Sequence, residues 1–289
     1  MSGPRIAIAT CAGYDGFKAD DDLLREALQA RGAEAAAVVW DEESVDWATF
    51  DLCLIRSTWD YNRKYDQFLA WTRQVEASTA LLNPADLIAW NSNKTYLREL
   101  AEQGVRTVPT AWVSRDSEVP LDEILATRGW NEAVVKPVVD LGAENLHRVR
   151  QGEVTGQQAL ETVLQRHNAM VQPFLPSLET EGELSLIYIE GELTHAVRKR
   201  PAAGDFRVQS IWGGTFTREK PEPAHIEVAE RALAQLGPPP LYARADLVTG
   251  PDGNPCLIEL ELIEPNLYLS EHPTAVETLA DAVMQHLQR

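Results

Sequence analysis

Short apolar runs alternate with amphipathic stretches through the first ninety residues. Arg5 to Thr10 predicts a buried strand. Asp20 to Asp22 form an acidic helix start, Leu23, Leu24, Ala27 and Leu28 supply its apolar face, and Gly32 stops it. Ala35 to Trp40 and Asp51 to Ile55 read as further strands, followed by a helix from Tyr65 to Ala77. Strands that alternate with helices predict a parallel, doubly wound α/β sheet. This unit ends near the segment "NPADLIAWNSN", which begins at Asn83.

The pattern then changes. A helix from Lys94 to Gln103 is expected, capped by the Asn91–Asn93 cluster and stopped by Gly104. "TAWV" and "EAVVKP" read as strands, a helix spans Gly156 to Arg166, and "AMVQPFL" follows, an α+β arrangement. "ELSLIYIEGELTHAVRKR" predicts a hairpin turning at Glu190–Gly191. A helix from Ala224 to Leu236 leads to a second hairpin, "LYARADLV", turn "TGPDGNP", and "PCLIELELIEP"; a helix from Thr274 to Leu287 closes the chain. Three units result: an α/β unit over 1–90 and two α+β units over 91–175 and 176–289. No internal repeat or low-complexity segment interrupts them.

The strand Pro255 to Pro265 carries the sharpest chemical signal. Strict alternation puts Leu257, Glu259, Glu261 and Ile263 on one face and Ile258, Leu260 and Leu262 on the other. The two carboxylates then lie roughly 7 Å apart along the strand, close enough to repel unless a cation, water or proton intervenes. Asp246 sits on the preceding strand, and the obvious register brings all three acids together. An oxygen-only set of this kind suits Mg²⁺ bridging to phosphates. A solvated hairpin face balanced by Arg244 is the plainer alternative.

Composition narrows the field of partners. At 289 residues, 44% hydrophobic and 24% charged, with a mean hydropathy of −0.26, this is ordinary globular material. A net charge of −18 and a pI near 4.7 argue against nucleic acid and anionic lipid as partners, though local lysines can still draw a small anion into a cleft. Cys11, Cys53 and Cys256 lie in separate apolar runs, which fits buried thiols in a reducing cytoplasm rather than disulfides or zinc. No segment has the length of a membrane span and the N-terminus lacks a signal-peptide layout. Oligomeric state is left open.

Other candidates are individually soft. Lys136 ends an apolar strand before Pro137, where an ammonium calls for an anion such as a phosphate. Lys94 opens a helix and could equally be a surface lysine. "VQPFLP" could offer backbone groups to a base edge or be a plain linker, and Glu183 or Glu179 could accept from ribose. Arg198, Lys199 and Arg200, with Arg207 beyond, form a basic run whose alternation turns Lys199 away from its neighbours; protection of a strand edge is the bland reading. Arg56, Ser57, Thr58 and Asp60 follow a strand of the first sheet, where parallel sheets bind ligands, or they cap a helix there. "TCAGYDGF" lacks dinucleotide spacing, and no phosphate loop, nucleophile elbow or paired-histidine zinc motif occurs.

Taken in order, Lys94, Lys136, "VQPFLP", Glu183, Lys199, Arg207, "ARAD" and "IELE" resemble the ATP-grasp superfamily over about two hundred residues. "RSTWDY", "NSNKTYL", "HAVRKRP", "GDFRVQ" and "ELELIEP" resemble its branch of D-cycloserine-type cyclo-ligases. The resemblance implies an ATP-grasp fold, with a pre-grasp α/β domain and two α+β subdomains gripping ATP. It implies that Lys94 and Lys136 hold phosphates, that Gln172, Pro173, Phe174 and Leu175 meet adenine, and that Glu183 holds ribose. It implies Mg²⁺ at Asp246, Glu259 and Glu261, and places Arg244, Lys199 and Arg207 near the reacting groups. Many relatives carry Asn where this chain has Glu261, and a glycine- or serine-rich loop where "VVDLGAENLHRV" stands. The implied activity is ATP-dependent ligation of a carboxylate to an amine, or cyclo-ligation, through an acylphosphate of a small amino-acid-like substrate. The alternatives are a nucleotide-binding protein with altered catalysis and a phosphoryl-transfer enzyme of the same fold.

Overall fold

The computed structural model describes residues 3–13, 19–143 and 145–288. Tyr14 to Phe17 of "TCAGYDGF", the following Lys18, and Glu144 lie outside the described set. The first sheet is parallel, in the order β2-β1-β3-β4, formed by β1 (Arg5–Thr10), β2 (Glu34–Val39), β3 (Leu52–Ser57) and β4 (Ala80–Leu82). Helices α1 (Ala19–Ala30), α2 (Tyr65–Ser78) and α3 (Ala85–Asn91) connect and cover it. β1 is apolar and almost wholly buried because elements pack on both of its faces. β4 and α3 were not anticipated; β4 is only three residues long.

The second sheet is antiparallel, in the order β5-β8-β6-β7. It follows α4 (Tyr96–Glu102) and contains β5 (Ala111–Val113), β6 (Glu132–Pro137), β7 (His147–Arg150) and β8 (Ala169–Pro173), with α5 (Leu121–Arg128) and α6 (Val154–Leu164) on one side. The expected Asn91–Asn93 cap is met only by Asn93: the regular helix starts at Tyr96, two residues past the expected Lys94, and Asn93 Oδ1 accepts from Thr95 N at 3.1 Å just ahead of it. Asn91 instead bridges the distant 260–262 segment, donating to Leu260 O and accepting from Leu262 N, both at 2.8 Å.

The third sheet runs β11-β10-β9-β12-β13. After the short α7 (Ser177–Thr180) come β9 (Glu183–Ile189), β10 (Glu192–Arg200) and β11 (Thr215–Arg218), then α8 (Pro223–Leu233), β12 (Tyr242–Thr249), β13 (Pro255–Glu261) and α9 (Pro273–His286). The β9–β10 turn lies at Glu190 and Gly191, both with positive φ, as a two-residue hairpin of this twist requires. β10 is not an edge, because β11 pairs with it; the basic run is therefore not edge protection. One core joins the first sheet, α1 and α9 to the outer part of the third sheet. A second lies between the third sheet, α4 and α8. Among the described residues no helix is long and apolar enough to cross a membrane.

Strict alternation fails in β13. Asp246 pairs with Glu259 but Leu247 pairs with Leu257, so Ile258 is the extra residue of a β-bulge. Leu257 packs in the core with Leu260 and Leu262, while Ile258 joins Val108, Leu175 and Leu178 on the other side. The expectation that Leu257 shares a face with the glutamates, and Ile258 the opposite one, is reversed by this single insertion.

Candidate active site

The hairpin of β12 and β13 sets Asp246 opposite Glu259 and Arg244 opposite Glu261. Carboxylate oxygens of Asp246, Glu259 and Glu261 lie within 4.8 Å of one another. Cations hold this repulsive set in place. Arg244 forks onto Asp246, with Nε 3.0 Å from Oδ1 and Nη2 2.9 Å from Oδ2, and also meets Glu261. Lys199 bridges Asp246 at 3.0 Å and Glu183, and Ser185 donates to Asp246 Oδ1 at 2.5 Å. Lys94 pairs with Glu259 at 2.6 Å and donates to Asp140 O at 3.1 Å.

Electrostatics divide the acids. Burial opposes ionisation of Asp246, but Arg244 and then Lys199 outweigh it and hold its carboxyl below the usual range. Burial likewise opposes ionisation of Glu259, which Lys94 and Lys136 pull down. Glu261 is pushed up to about 7 by burial, with Glu259 adding to the push and Arg244 resisting it. Glu183 is raised to about 7 by burial against the pull of Lys199.

Lys136 differs from the other cations. It is 6% exposed and has no hydrogen bond or ion pair among the described residues. Burial lowers its pKa, with Lys94 adding and Glu259 opposing. It lines a cleft together with Val134, Gln172, Leu175, Glu183 and Ile258.

Pro173 and Leu175 also line this cavity. The N–H of Phe174 is spent on Glu132 O at 3.0 Å, and the Gln172 amide donates to Thr110 Oγ1 at 2.9 Å, so neither group is directed to a ligand. Phe174 stacks under Arg148, 3.5 Å from its ring centroid. Of the two ribose candidates, Glu183 lines the cavity, whereas Glu179 is bound by Arg148 at 2.6 Å and its side chain is 44% exposed. Arg207 reaches the cavity wall but is paired with Asp205 at 2.7 Å and lies over Trp212 at 3.6 Å. Trp212 in turn donates to Gly142 O at 2.9 Å, tying the segment after β10 to the one after β6.

The N-terminal candidates do not form a polar surface. Arg56 is 2% exposed, bound to Asp21 at 3.1 Å and to Pro265 O at 2.9 Å, and lies over the Tyr242 ring. Ser57 donates to Thr10 Oγ1 at 2.7 Å inside the sheet, and Thr58 is fully buried. Asp60 accepts from Trp40 Nε1 at 2.8 Å. The strand continues to Ser57, two residues past the expected end at Ile55, which draws these side chains inward. Direct substrate reading by this set is therefore replaced by contact with the backbone beyond β13.

That backbone is the part of the site the sequence did not reveal. Leu262 O accepts from Asn83, Ile263 O from Tyr242, Glu264 O from Trp59, Pro265 O from Arg56, Asn266 O from Arg244 and Leu267 O from His195. Glu264 falls outside the alternation that singles out Glu259 and Glu261, and Ser185 and Asp140 carry no sequence signal. Side-chain donors to carbonyls leave no local pattern, because the partners lie far apart in the chain.

Comparisons with known proteins fit this architecture. A family model described as the D-cycloserine synthetase DcsG N-terminal domain matches residues 6–83, and one described as the prokaryotic glutathione synthetase ATP-grasp domain matches residues 95–251. The cycloserine biosynthesis protein DcsG of Streptomyces lavendulae is 29% identical, covering 98% of this chain and 99% of its own. A glutathione synthetase of Prochlorococcus marinus is 35% identical over 56% of this chain and 49% of its own. The crystal structure of D-cycloserine synthetase DcsG superposes with a TM-score of 0.89 at 28% identity, covering 98% of this chain and 99% of that one. A D-alanine–D-alanine ligase from Bacillus anthracis shares the fold, with a TM-score of 0.73 at 16% identity, covering 99% of this chain and 98% of the ligase.

Proposed function

Because this chain belongs to the ATP-grasp family, we propose that it ligates a carboxylate to an amine on a small amino-acid-like substrate, with ATP consumed. A substrate carboxylate oxygen attacks the γ-phosphorus of ATP and ADP leaves. The amine, in the same molecule or a second one, then attacks the acylphosphate carbonyl and phosphate departs. The observation that carries this reading is Lys136, a buried side chain with no ion pair among the described residues, which shares a cavity wall with Glu183. Beside it stand the three converging acids.

The residues present fit Mg²⁺. Asp246, Glu259 and Glu261 offer hard oxygen donors only. When bound there, Mg²⁺ neutralises phosphate charge and aligns the transferred group. Lys94 is oriented by Glu259 and Asp140 O, so its ammonium can swing little before meeting a phosphate. Lys199 and Arg244 fix Asp246 and surround the point where negative charge develops. Glu183 accepts from ribose at the cavity wall, and the apolar side chains of Val134, Leu175 and Ile258 sandwich the base. The chain supplies no nucleophile of its own, and the chemistry needs none. Likeness to DcsG over nearly its whole length supports ring closure as one outcome.

The test is an ADP-release screen with Mg²⁺ against amino acids and their O-substituted derivatives, with product masses read in parallel. Mg²⁺-dependent ADP and phosphate release, with a product lighter by one water than the substrate or substrates joined, is expected. Glu259→Gln should depress the rate by ~100-fold or more while the fold persists. A stable phosphorylated product would instead make this a phosphoryl-transfer enzyme, and nucleotide binding without ADP release would make it a binding protein.

A further inference from the structure

Gln172 is 4% exposed and stands opposite Val134 in the β6–β8 pair. Directly opposed residues share one face of a sheet. Val134 and Lys136 line the cleft, while Ala133, Val135 and Val171 pack on the other side against α5 and α6. The Gln172 side chain therefore emerges on the cleft side, beside Thr110, just ahead of β5. An amide has a donor end and an acceptor end of nearly the same shape, so its neighbours decide which way it points. The Thr110 hydroxyl donates its one proton to Val108 O at 2.9 Å, and so can only accept from Gln172, whose Nε2 lies 2.9 Å away. The reverse orientation would draw that proton to Gln172 and leave Val108 O without it. Val108 is itself fixed, its N–H donating to Leu257 O of β13 at 3.1 Å. Nε2 is thereby spent. Oε1 has no donor among the described residues and stays accessible on the cleft side.

The cleft thus meets a base with an acceptor that is held from turning into a donor. We propose that Thr110, which does not itself line the cleft, selects the nucleotide base: by holding the Gln172 amide it makes the site take a purine with an amino group at position 6 and refuse one with an oxo group there. This rests on the ligase reading and adds the residue that sets which nucleoside triphosphate is spent. A 6-amino group donates to Oε1. A 6-oxo group sets two acceptors against each other, and the amide relieves that only by turning Nε2 inward and giving up its bond to Thr110. The N–H of Phe174, two residues along, offers no substitute donor, because it is bound to Glu132 O at 3.0 Å. Thr110 is a positioning residue, and Gln172 is the residue that meets the base.

The test uses the full chain with Mg²⁺ and two probes, ADP and IDP, which differ only at that edge of the base: ADP carries the 6-amino donor, IDP a 6-oxo acceptor with a proton on N1. Titration calorimetry should show ADP favoured by about 30-fold or more in the wild type, within the range for one buried hydrogen bond lost and its acceptor left unpaired. Thr110→Val keeps the shape and removes the hydroxyl, which frees the amide to turn. The preference should then fall by about 10-fold or more, chiefly through tighter binding of IDP. Thr110→Ser, which retains the hydroxyl, should keep the wild-type preference. Gln172→Met should lower the preference as far with Thr110 intact. A purely structural role of Thr110 would weaken both nucleotides alike, so an unchanged ratio in Thr110→Val overturns the proposal. Equal binding of the two nucleotides by the wild type overturns it as well. So does a preference that survives Gln172→Met, which decides the matter if the Val variant does not fold. A wild type that binds neither nucleotide counts against the ligase reading itself, and the proposal falls with it.

Discussion

Replacing Lys136 with Met should move stability and nucleotide affinity in opposite directions. The ammonium sits on β6 opposite Met170, 6% exposed and without an ion pair among the described residues. In the free protein its charge is a liability, and burial already drives its pKa down. Met has similar length and no charge, so Lys136→Met should stabilise the free chain by about 1–3 kcal/mol, within the range seen when buried ions give way to apolar side chains. The upper part of that range is cut off because the wild-type amine can shed its proton. At about 2–4 °C per kcal/mol the melting temperature should rise by several degrees. A charge-assisted bond to phosphate contributes about 1.5–3 kcal/mol, so the Kd for Mg·AMPPNP should weaken about 10- to 150-fold. Scanning calorimetry and titration calorimetry on the same preparations read both effects. Saturating nucleotide should then raise the melting temperature of the wild type well above that of the variant. A variant that binds nucleotide as tightly as the wild type, or one that loses stability and affinity together, would refute the reasoning.

Two further substitutions probe the scaffold. Gly182→Ala should destabilise by at least about 2 kcal/mol in urea unfolding and lower ADP release as well. Gly182 has φ +78°, and an added Cβ would stand 1.9 Å from the carbonyl oxygen of Lys199, which holds Glu183 and Asp246. His195→Gln should flatten the acid side of the stability profile. Burial, with His272 adding, pushes His195 down to about 4, so it folds neutral and unfolding binds its proton. Wild-type stability should therefore drop as pH falls from about 6.5 towards 4, by about 2 kcal/mol between pH 7 and pH 5 from this group alone. Equal urea midpoints for variant and wild type across that interval would remove His195 from the account.

The elements that were legible in the sequence are those with a strong local period. β1, α1, α2, the β9–β10 hairpin and α9 were placed to within a residue or two, because apolar spacing, an acidic first turn or a Glu–Gly turn marks each of them. α5, β7 and β11 were missed for the converse reason. α5 buries only Leu121 and Leu125, β7 only Val149, and β11 nothing, so their sequences carry almost no core-facing pattern. Their pairing comes from the strands beside them. The acids of β12 and β13 could be assembled from alternation and a hairpin turn, whereas the side-chain bonds that hold the stretch after β13 could not.

The bulge at Ile258 ties these observations together. Without the extra residue, regular pairing from Leu247–Leu257 would set Ile258 opposite Asp246, carry Glu259 and Glu261 out of step with Asp246 and Arg244, and turn both glutamates toward the core. With it, Ile258 lines the cavity and the next residue, Glu259, stands opposite Asp246 in the acidic cluster, so an apolar wall and a carboxylate sit side by side on one strand, while Leu257 and Leu260 remain in the core. The irregularity has no signature in composition, since Leu and Ile are interchangeable to a periodicity argument. What selects it is the partner strand: Asp246 must meet Arg244, Lys199 and Ser185 at once, and only a shifted register lets Glu259 stand opposite it. The site geometry therefore follows from polar satisfaction across β9, β10 and β12, to which the apolar pattern of β13 adapts by one inserted residue.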